Sequence, residues 1–356
     1  MISFTFVGCR TMDKTNKTNK PPIYPFPDTK LRPYEWDDNP NEPIFDSNIH
    51  LAQFDIPKIK EQCAKLPDGA RVGFTKPFKV LTDKGYRIIR NILDKEYDQG
   101  YVKPDRRIQL CLRGVTYRSP FLRQFSQCDE LTSLTSDVVG EPLIIHPIIS
   151  NQSHINWGLP ANETGEIKNV DQWHQDSVSH VLIILMSDMT DSVGGDLELI
   201  LKTPTDAFKL LAETNNNVPD EHIVKIKFPG PGYGVILTGS ELVHHVTPLI
   251  ESMSPRITLI QSFASADPWV KIDRTKWDYY SKAVSADWSG YEWMHYQSWK
   301  LGSQLISLPQ KIAWSPDNTS ISNELRRIAK DLQIAADQIE RKTEEEKMFV
   351  DETHNN

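Results

Sequence analysis

The spacing of hydrophobic positions predicts a β-rich centre between two helical regions. From residue 142 to 265, short apolar runs such as SVSHVLIILMSD and YGVILTG are mostly separated by Gly, Pro, Asn or Asp. Short runs bounded by turn residues are typical of a β-sandwich or barrel. One segment within them, TPTDAFKLLAET, has helical spacing instead. We therefore predict a β core over residues 142–265 that contains one short helix.

Helical spacing flanks this core on both sides. LTDKGYRIIRNILDKEYD has apolar residues on one helical face, and Thr82 is a suitable N-cap. SISNELRRIAKDLQIAADQIERKTEEEK repeats apolar residues at spacings of three and four. These patterns predict a helical layer over 54–140 and C-terminal helices over 270–347. Because no linker rich in Gly or Ser is visible, we expect a single domain over 49–350.

The first 48 residues differ in composition from the rest. Residues 11–43 are rich in Pro, Asn, Asp, Lys and Thr, and they have too few periodic apolar positions to form a core of their own. We predict a flexible or extended N-terminal arm over residues 1–48. The aromatic residues in the second half of the arm favour an arm that lies on the domain.

Charge and cysteine content narrow the class of protein. The formal net charge is −8 and the basic residues are mixed with acidic ones, which argues against a nucleic-acid partner. No apolar run approaches the roughly 20 residues of a membrane span. The four cysteines form no CxxC pair, so free thiols in a reducing compartment are the simplest interpretation. These features favour a soluble cytoplasmic protein without a membrane partner.

The segment DQWHQDSVSH holds candidate metal ligands. His174 and Asp176 are two residues apart, so they share one face if the segment is extended. A third ligand must come from elsewhere, and ELVHHVTPL is the only other stretch with histidines in comparable surroundings. Either His244 or His245 would complete two histidines and one carboxylate, the ligand choice of non-haem Fe(II) oxygenases. The competing interpretation of His174 and Asp176 is a polar pair in a surface turn.

An arginine that could bind the carboxylate of a cosubstrate follows the second histidine segment. If the electron source is 2-oxoglutarate, its far carboxylate needs a cation, and the planar fork of arginine suits a carboxylate. Arg256 stands 12 residues after His244, and Thr258 follows on the same face with a hydroxyl to donate. An ordinary arginine at a strand end, with an ordinary strand threonine, is the alternative.

Together these segments resemble the Fe(II)/2-oxoglutarate-dependent dioxygenases. The matching motifs are HQD, HHVTP and RIT, with GGDLEL between the first two. The resemblance implies a mainly β core with flanking helices, a double-stranded β-helix of the jelly-roll or cupin-like type. It also implies that His174, Asp176 and His244 are catalytic and bind Fe(II), that Arg256 and Thr258 hold 2-oxoglutarate, and that O2 is consumed.

The resemblance also limits the chemistry. Halogenating members lack the carboxylate that Asp176 supplies, so hydroxylation, desaturation or cyclisation of a C–H bond is expected. The segments are similar to a fungal branch that oxidises amino acids or peptide-derived metabolites in secondary metabolism, which suggests a small-molecule substrate of that kind. The alternative is a cupin-like metal-binding protein without oxygenase activity, either a hydrolase or isomerase or a binding module.

Weaker candidates surround these motifs. Asn156 could bind the cosubstrate through an oxygen atom or be a buried structural amide. Trp157 and Trp173 could line the substrate pocket or pack in the core. Arg113 and Arg118 could bind a substrate carboxylate or form surface salt bridges. The amphipathic C-terminal helix is compatible with a monomer or with a homodimer contact.

Overall fold

The computed structural model describes residues 41–283 and 286–354, with side chains described over 41–282 and 288–342. Most of the predicted N-terminal arm, residues 1–40, lies outside the described residues. The end of the arm contacts the domain. Glu42 accepts hydrogen bonds from Ser119 Oγ and Phe121 N, and the ring of Phe45 meets that of Phe121 edge-on.

The described residues form strands that range from two to ten residues in length. They are β1 (Ala64–Lys65), β2 (Val72–Phe74), β3 (Phe78–Lys79), β4 (Lys103–Pro104), β5 (Leu110–Leu112), β6 (Leu143–Ile145), β7 (His154–Gly158), β8 (Asn169–His174), β9 (His180–Leu185), β10 (Val193–Gly194), β11 (Leu197–Ile200), β12 (Ile223–Ile226), β13 (Tyr233–Leu237), β14 (Val243–Glu251) and β15 (Arg256–Ser265).

Helices precede, interrupt and follow these strands. They are α1 (Ser47–His50), α2 (Ile56–Glu61), α3 (Asp83–Asp98), α4 (Val115–Arg118), α5 (Pro120–Ser126), α6 (Asp129–Val139), α7 (Ala161–Thr164), α8 (Pro204–Glu213), α9 (Trp277–Ala283), α10 (Ala286–Lys311) and α11 (Thr319–His354). The predicted N-cap of α3 is confirmed, because the Thr82 side chain accepts a hydrogen bond from Gly85 N. The helix predicted inside the β region corresponds to α8, but the region also contains the one-turn helix α7, which the sequence did not predict. No helix in the described part of the chain is long and apolar enough to cross a membrane.

Eight strands form a jelly roll of two antiparallel sheets. The larger sheet runs in the order β13, β9, β15, β7, and the smaller one in the order β8, β14, β11, β12. Along the chain most successive strands belong to opposite sheets, which is the winding of a double-stranded β-helix. The predicted fold class, a mainly β core with flanking helices, is confirmed.

Strands of the larger sheet are buried on both faces, which explains their continuous apolar sequences. In β9, Leu182 and Ile184 pack with the helical side of the molecule, whereas Val181 and Ile183 pack with residues of the smaller sheet. This alternation follows from the two-residue period of a strand. Aliphatic residues such as Val181 and Ile183 therefore line the inner face of the jelly roll, and polar residues occur among them.

The region predicted as a helical layer also contains strands. The short strands β1 to β5 extend the larger sheet at both edges, with α3 between β3 and β4 and with α4 to α6 after β5. Strands of two or three residues are too short to show an alternating pattern, so the sequence predicted helices alone here. The helices pack against the outer face of the larger sheet through residues such as Phe121, Phe125 and Leu134.

The C-terminal helices form a second cluster against the end of the larger sheet. Aromatic residues of α9 and α10, among them Trp277, Trp293 and Tyr296, pack with Ile144 and Ala264 of the sheet. The predicted amphipathic helix corresponds to α11, and its Ala335 joins this cluster.

Candidate functional site

The two histidine segments meet on neighbouring strands of the smaller sheet. His174 ends β8 and is paired in register with His244 on β14. His174 Nε2 is 3.3 Å from Asp176 Oδ1, and His244 Nε2 is 3.7 Å from Asp176 Oδ2. One ligand atom from each of the three residues lies within 4.8 Å of the others, as a shared metal ion requires.

Asp176 differs from the prediction in its backbone setting. The sequence suggested that the pair begins a strand, but β8 ends at His174 and Asp176 lies in the following turn. Its backbone N donates to Gly239 O at 2.9 Å, which ties the turn to the end of β13. The carboxylate lies directly over Gly239, where a Cβ atom would be 2.0 Å from Asp176 Oδ2. A side chain at residue 239 would therefore displace the carboxylate.

Backbone carbonyls orient both imidazoles of the cluster. His174 Nδ1 donates to Gln172 O at 2.7 Å, and His244 Nδ1 donates to Leu242 O at 3.0 Å. A carbonyl can only accept, so these contacts place the proton on Nδ1 and leave the lone pair on Nε2. Both Nε2 atoms face Asp176, which is the tautomer and orientation that metal-binding histidines need.

Burial and neighbouring charges fix the protonation of the three residues. Burial lowers the pKa of His174 to about 3, and the Arg107 cation adds to this effect. Burial likewise lowers the pKa of His244. Burial opposes ionisation of Asp176, but His244 and His174 hold its pKa below its usual range. Two neutral imidazoles and one carboxylate are the protonation states that bind a divalent cation.

His245 does not belong to the cluster, so the alternative third ligand is wrong. Its Nε2 is hydrogen-bonded to Glu198 Oε2 at 2.8 Å, and its ring stacks on Trp173 with the ring centroids 3.6 Å apart. Successive residues of a strand point to opposite faces, so only one of His244 and His245 can face the interior of the jelly roll.

The cluster opens into a cavity of about 510 Å³ between the two sheets. This volume is in the range of about 300–1,000 Å³ that is usual for small-molecule sites. Arg256, Thr258 and Asn156 all line it, and Thr258 is paired with Asn156 across β15 and β7. Apart from His245, the structure thus brings together every residue that the sequence proposed for metal or cosubstrate binding.

Arg256 is a buried cation with free hydrogen-bonding capacity. It is 2% exposed, its Nε donates to Gly195 O at 2.8 Å, and its Nη2 is buried with no hydrogen-bond partner among the described residues. Burial lowers the pKa of Arg256 to about 10, which leaves it cationic at neutral pH. A buried guanidinium with an unsatisfied donor is costly unless an anion binds beside it.

Two cavity residues were missed from the sequence. Asp171 is buried on β8, with Oδ1 3.3 Å from Arg107 Nη1 and 3.7 Å from His174 Nδ1. Burial raises the pKa of Asp171 to about 7, although Arg107 acts against the increase. In a regular strand, residues three apart face opposite sides. Here the register shifts opposite His244 and Val246, and both Asp171 and His174 line the cavity.

The remaining candidate residues from the sequence, two arginines and two tryptophans, lie in different parts of the structure. Arg113 lines the cavity, but Arg118 forms an ion pair with Glu96 and lies over the ring of Tyr101, so it is not available to a substrate there. Trp173 lines the cavity. Trp157 packs in the core on the helical side of the larger sheet instead.

Comparisons with known proteins give distant structural likenesses. No protein-family model and no curated protein matches the chain. Its fold is similar to AviO1 from Streptomyces viridochromogenes Tue57, with 20% identity, coverage of 60% of this chain and 96% of that one, and a TM-score of 0.43. The α-ketoglutarate-dependent epimerase SnoN from nogalamycin biosynthesis gives 11% identity, 59% and 83% coverage, and a TM-score of 0.44.

A third similar structure is EctD from S. alaskensis with 2-oxoglutarate and 5-hydroxyectoine. It has 14% identity, covers 63% of this chain and 83% of that one, and has a TM-score of 0.40.

Proposed function

We propose that this chain is a non-haem Fe(II)/2-oxoglutarate-dependent oxygenase that oxidises a C–H bond of a small molecule. The observation that carries the proposal is the convergence of His174, Asp176 and His244 in one buried cavity with the unsatisfied guanidinium of Arg256. Two neutral imidazoles and a carboxylate favour a first-row transition metal such as Fe(II).

The donor set suits an iron that must accept further ligands. Three protein ligands leave coordination positions for the cosubstrate and for O2. When bound, the metal and 2-oxoglutarate would supply the oxidising chemistry. The protein residues hold the Nε2 and carboxylate atoms in place and keep both imidazoles neutral.

Arg256 is the residue that we assign to the far carboxylate of 2-oxoglutarate. Its free Nη2 and its burial favour a bound anion, and a charge-assisted hydrogen bond to a carboxylate would satisfy the donor. Thr258 and Asn156, which face the same cavity from adjacent strands, are proposed as additional hydrogen-bonding partners.

The finer proposal concerns the substrate and the reaction. Because the carboxylate of Asp176 is retained, the outcome is hydroxylation, desaturation or cyclisation rather than halogenation. We propose an amino acid or peptide-derived metabolite of secondary metabolism as the substrate, following the resemblance of the sequence motifs to a fungal branch of this family.

Anaerobic titration with Fe(II) and then 2-oxoglutarate tests the proposal. We expect the weak visible charge-transfer band that accompanies chelation of the keto acid to Fe(II), followed by succinate release when O2 and a substrate are added. The matched variants are His244→Ala and His245→Ala, which differ by one position in β14. The first should lose the band and the second should keep it.

Thermal melting of both apo variants controls for folding. Unchanged Fe(II) and 2-oxoglutarate binding in a folded His244→Ala variant would refute the assignment. Activity with Zn(II) and without succinate release would support a cupin-like hydrolase or isomerase instead.

A further inference from the structure

Arg113 is a cavity residue that the proposed iron and cosubstrate sites do not use. It follows β5, and its Nη1 donates to Asn151 Oδ1 at 3.2 Å. Its Nε is buried without a hydrogen-bond partner, and no acidic group of the described residues lies within ion-pair distance of it. No hydrogen bond from a described residue reaches the edge formed by Nε and Nη2, and this edge can bind a carboxylate bidentately.

The register of the larger sheet places Arg113 far from Arg256. Leu112 of β5 pairs with Ile155 of β7, so Arg113 follows beside His154, whereas Arg256 pairs with Gly158 at the other end of β7. Four residues of a strand span about 13 Å. The two arginines thus mark opposite ends of the cavity floor and can bind two separate anions.

The charges of the cavity are unbalanced at the Arg113 end. Arg107 is paired with Asp171, and Asp176 belongs to the proposed iron site. Burial lowers the pKa of His154 to about 3, and Arg113 acts in the same direction, so His154 is neutral there. The nearby buried carboxylate of Glu292 is occupied by hydrogen bonds from other residues. The described residues therefore supply no anion to Arg113 at this end of the cavity, and an anion from outside the protein would balance its charge.

Two further cations lie at the rim of the same cavity. Arg274 and Lys276 are exposed, line the cavity and have no acidic partner within 4 Å in the described part of the chain. Arg274 N donates to Ser177 O at 2.6 Å, which fixes this rim segment next to the turn that carries Asp176. A positively charged rim raises the local concentration of anionic ligands.

Part of the cavity floor is apolar, next to the polar side chains of Asn156 and Thr258 that lie between the two arginines. Val181, Ile183 and Ile260 line the cavity from β9 and β15. A ligand that matches both the apolar residues of the floor and the Arg113 cation has an aliphatic body and an anionic group at one end.

We propose that the substrate carries a carboxylate that Arg113 binds, with Arg274 and Lys276 attracting it at the rim. This inference rests on the proposed function and adds a substrate class to it. A carboxylate held at Arg113 positions the attached aliphatic chain over the floor toward the cluster of His174, Asp176 and His244. Amides of the same shape lack the charge and are poor substrates.

Binding of matched probe pairs to the full chain tests the proposal. The chain is loaded anaerobically with Fe(II) and saturating 2-oxoglutarate, and calorimetry then compares straight-chain carboxylates from butyrate to octanoate with their carboxamides. We expect carboxylates to bind about tenfold or more tightly than the amides, as a charge-assisted bidentate contact implies. Arg113→Gln should remove this preference, and Arg113→Lys should keep part of it.

Arg118→Gln is the matched control, because Arg118 lies five residues away and is paired with Glu96 outside the cavity. It should leave the preference unchanged. The 2-oxoglutarate affinity of each variant reports whether the cavity is folded. An Arg113→Gln variant with normal 2-oxoglutarate binding and an undiminished carboxylate preference would overturn the proposal, as would a wild-type chain that prefers no carboxylate over its amide.

Failure of the proposed function gives a different result. A wild-type chain that binds no 2-oxoglutarate but still binds the carboxylates through Arg113 would contradict the cosubstrate assignment alone.

Discussion

At the scale of single residues, the proposed metal site depends on how three side chains are held. The two imidazoles are oriented by carbonyls within their own segments, Gln172 and Leu242, and the carboxylate rests on Gly239. None of these contacts uses an additional charged residue. The precision of the cluster therefore comes from the backbone, which is the most rigid part of a jelly roll.

Substitution of Gly239 by Ala should weaken iron binding without removing a ligand. The added Cβ would be 2.0 Å from Asp176 Oδ2, so the carboxylate must move. We expect Fe(II) affinity to fall by about 10- to 100-fold, the usual effect of disturbing the residues that orient a ligand. Anaerobic Fe(II) titration measures it.

Gly302→Ala is the control for this change, because a Cβ at that position meets no atom within 4 Å. Equal affinities of the Gly239→Ala variant and the wild type would show that residue 239 does not position the carboxylate.

Substitution of Arg256 by Gln should affect the cosubstrate but not the metal. The guanidinium is buried and has an unsatisfied Nη2, so its loss removes a charge-assisted contact worth about 1.5–3 kcal/mol. We expect the apparent Kd for 2-oxoglutarate to rise by about 10- to 100-fold, with Fe(II) affinity retained. Arg90→Gln, which removes an ion pair with Asp94 on α3 and a hydrogen bond to Met186 O, should change neither constant.

The sequence predicted the central residues of the site but not their surroundings. His174 and Asp176 were predicted from their two-residue spacing in an expected strand, although β8 ends at His174, and the resemblance to the dioxygenases selected His244 over His245. Asp171 could not be identified in this way, because a register shift places it on the same side as His174. The sequence could not show which of Arg113 and Arg118 lines the cavity, because only tertiary contacts decide which of them pairs with Glu96.

At the scale of elements, the two sheets approach most closely where β7 passes β8. A Cβ on Gly158 would be 2.4 Å from Val170 Cγ2, so glycine is required for this contact between the sheets. Gly158 is also the partner of Arg256 in the larger sheet. The closeness of the sheets at this point therefore closes the Arg256 end of the cavity.

Gly158→Ala should destabilise the protein by about 1–3 kcal/mol, the usual cost of overpacking. The double variant with Val170→Ala should recover part of this loss, with a coupling of about 1 kcal/mol between the two positions. Chemical denaturation of the wild type, both single variants and the double variant measures it. Strict additivity would show that the two residues do not oppose each other.

Element boundaries could be predicted only where elements are long. The continuous apolar run of β9 and the helical spacing of α3 and α11 were readable from the sequence, because each element is long enough to show its pattern. The strands β1 to β5 contain two or three residues each, and the larger sheet rather than their own composition makes them extended.

At the scale of the whole molecule, one buried carboxylate links the helical regions. Glu292 of α10 accepts hydrogen bonds from Tyr117 Oη at 2.8 Å, Ser150 N at 2.8 Å and Ser150 Oγ at 2.6 Å, and also from Tyr280 Oη. The donors belong to α4, to the turn before β7 and to α9. This carboxylate therefore joins segments that flank the Arg113 end of the cavity.

Glu292→Ala should reduce the free energy of unfolding by about 3 kcal/mol or more, because several buried donors lose their acceptor at once. Gln310→Ala, at an exposed position of the same helix, should change it by less than about 0.5 kcal/mol. Equilibrium denaturation measures both. A Glu292→Ala variant as stable as the Gln310→Ala variant would show that the network does not support the fold.

The alternation of strands between the sheets also determines when the iron site can form. His174 and His244 become neighbours only after the intervening chain has crossed the jelly roll and β14 has docked beside β8. Contacts this distant in sequence carry a large loop-closure cost and form late in folding. A growing or partly folded chain thus offers no complete set of ligands, so metal capture at the proposed site would follow folding instead of initiating it.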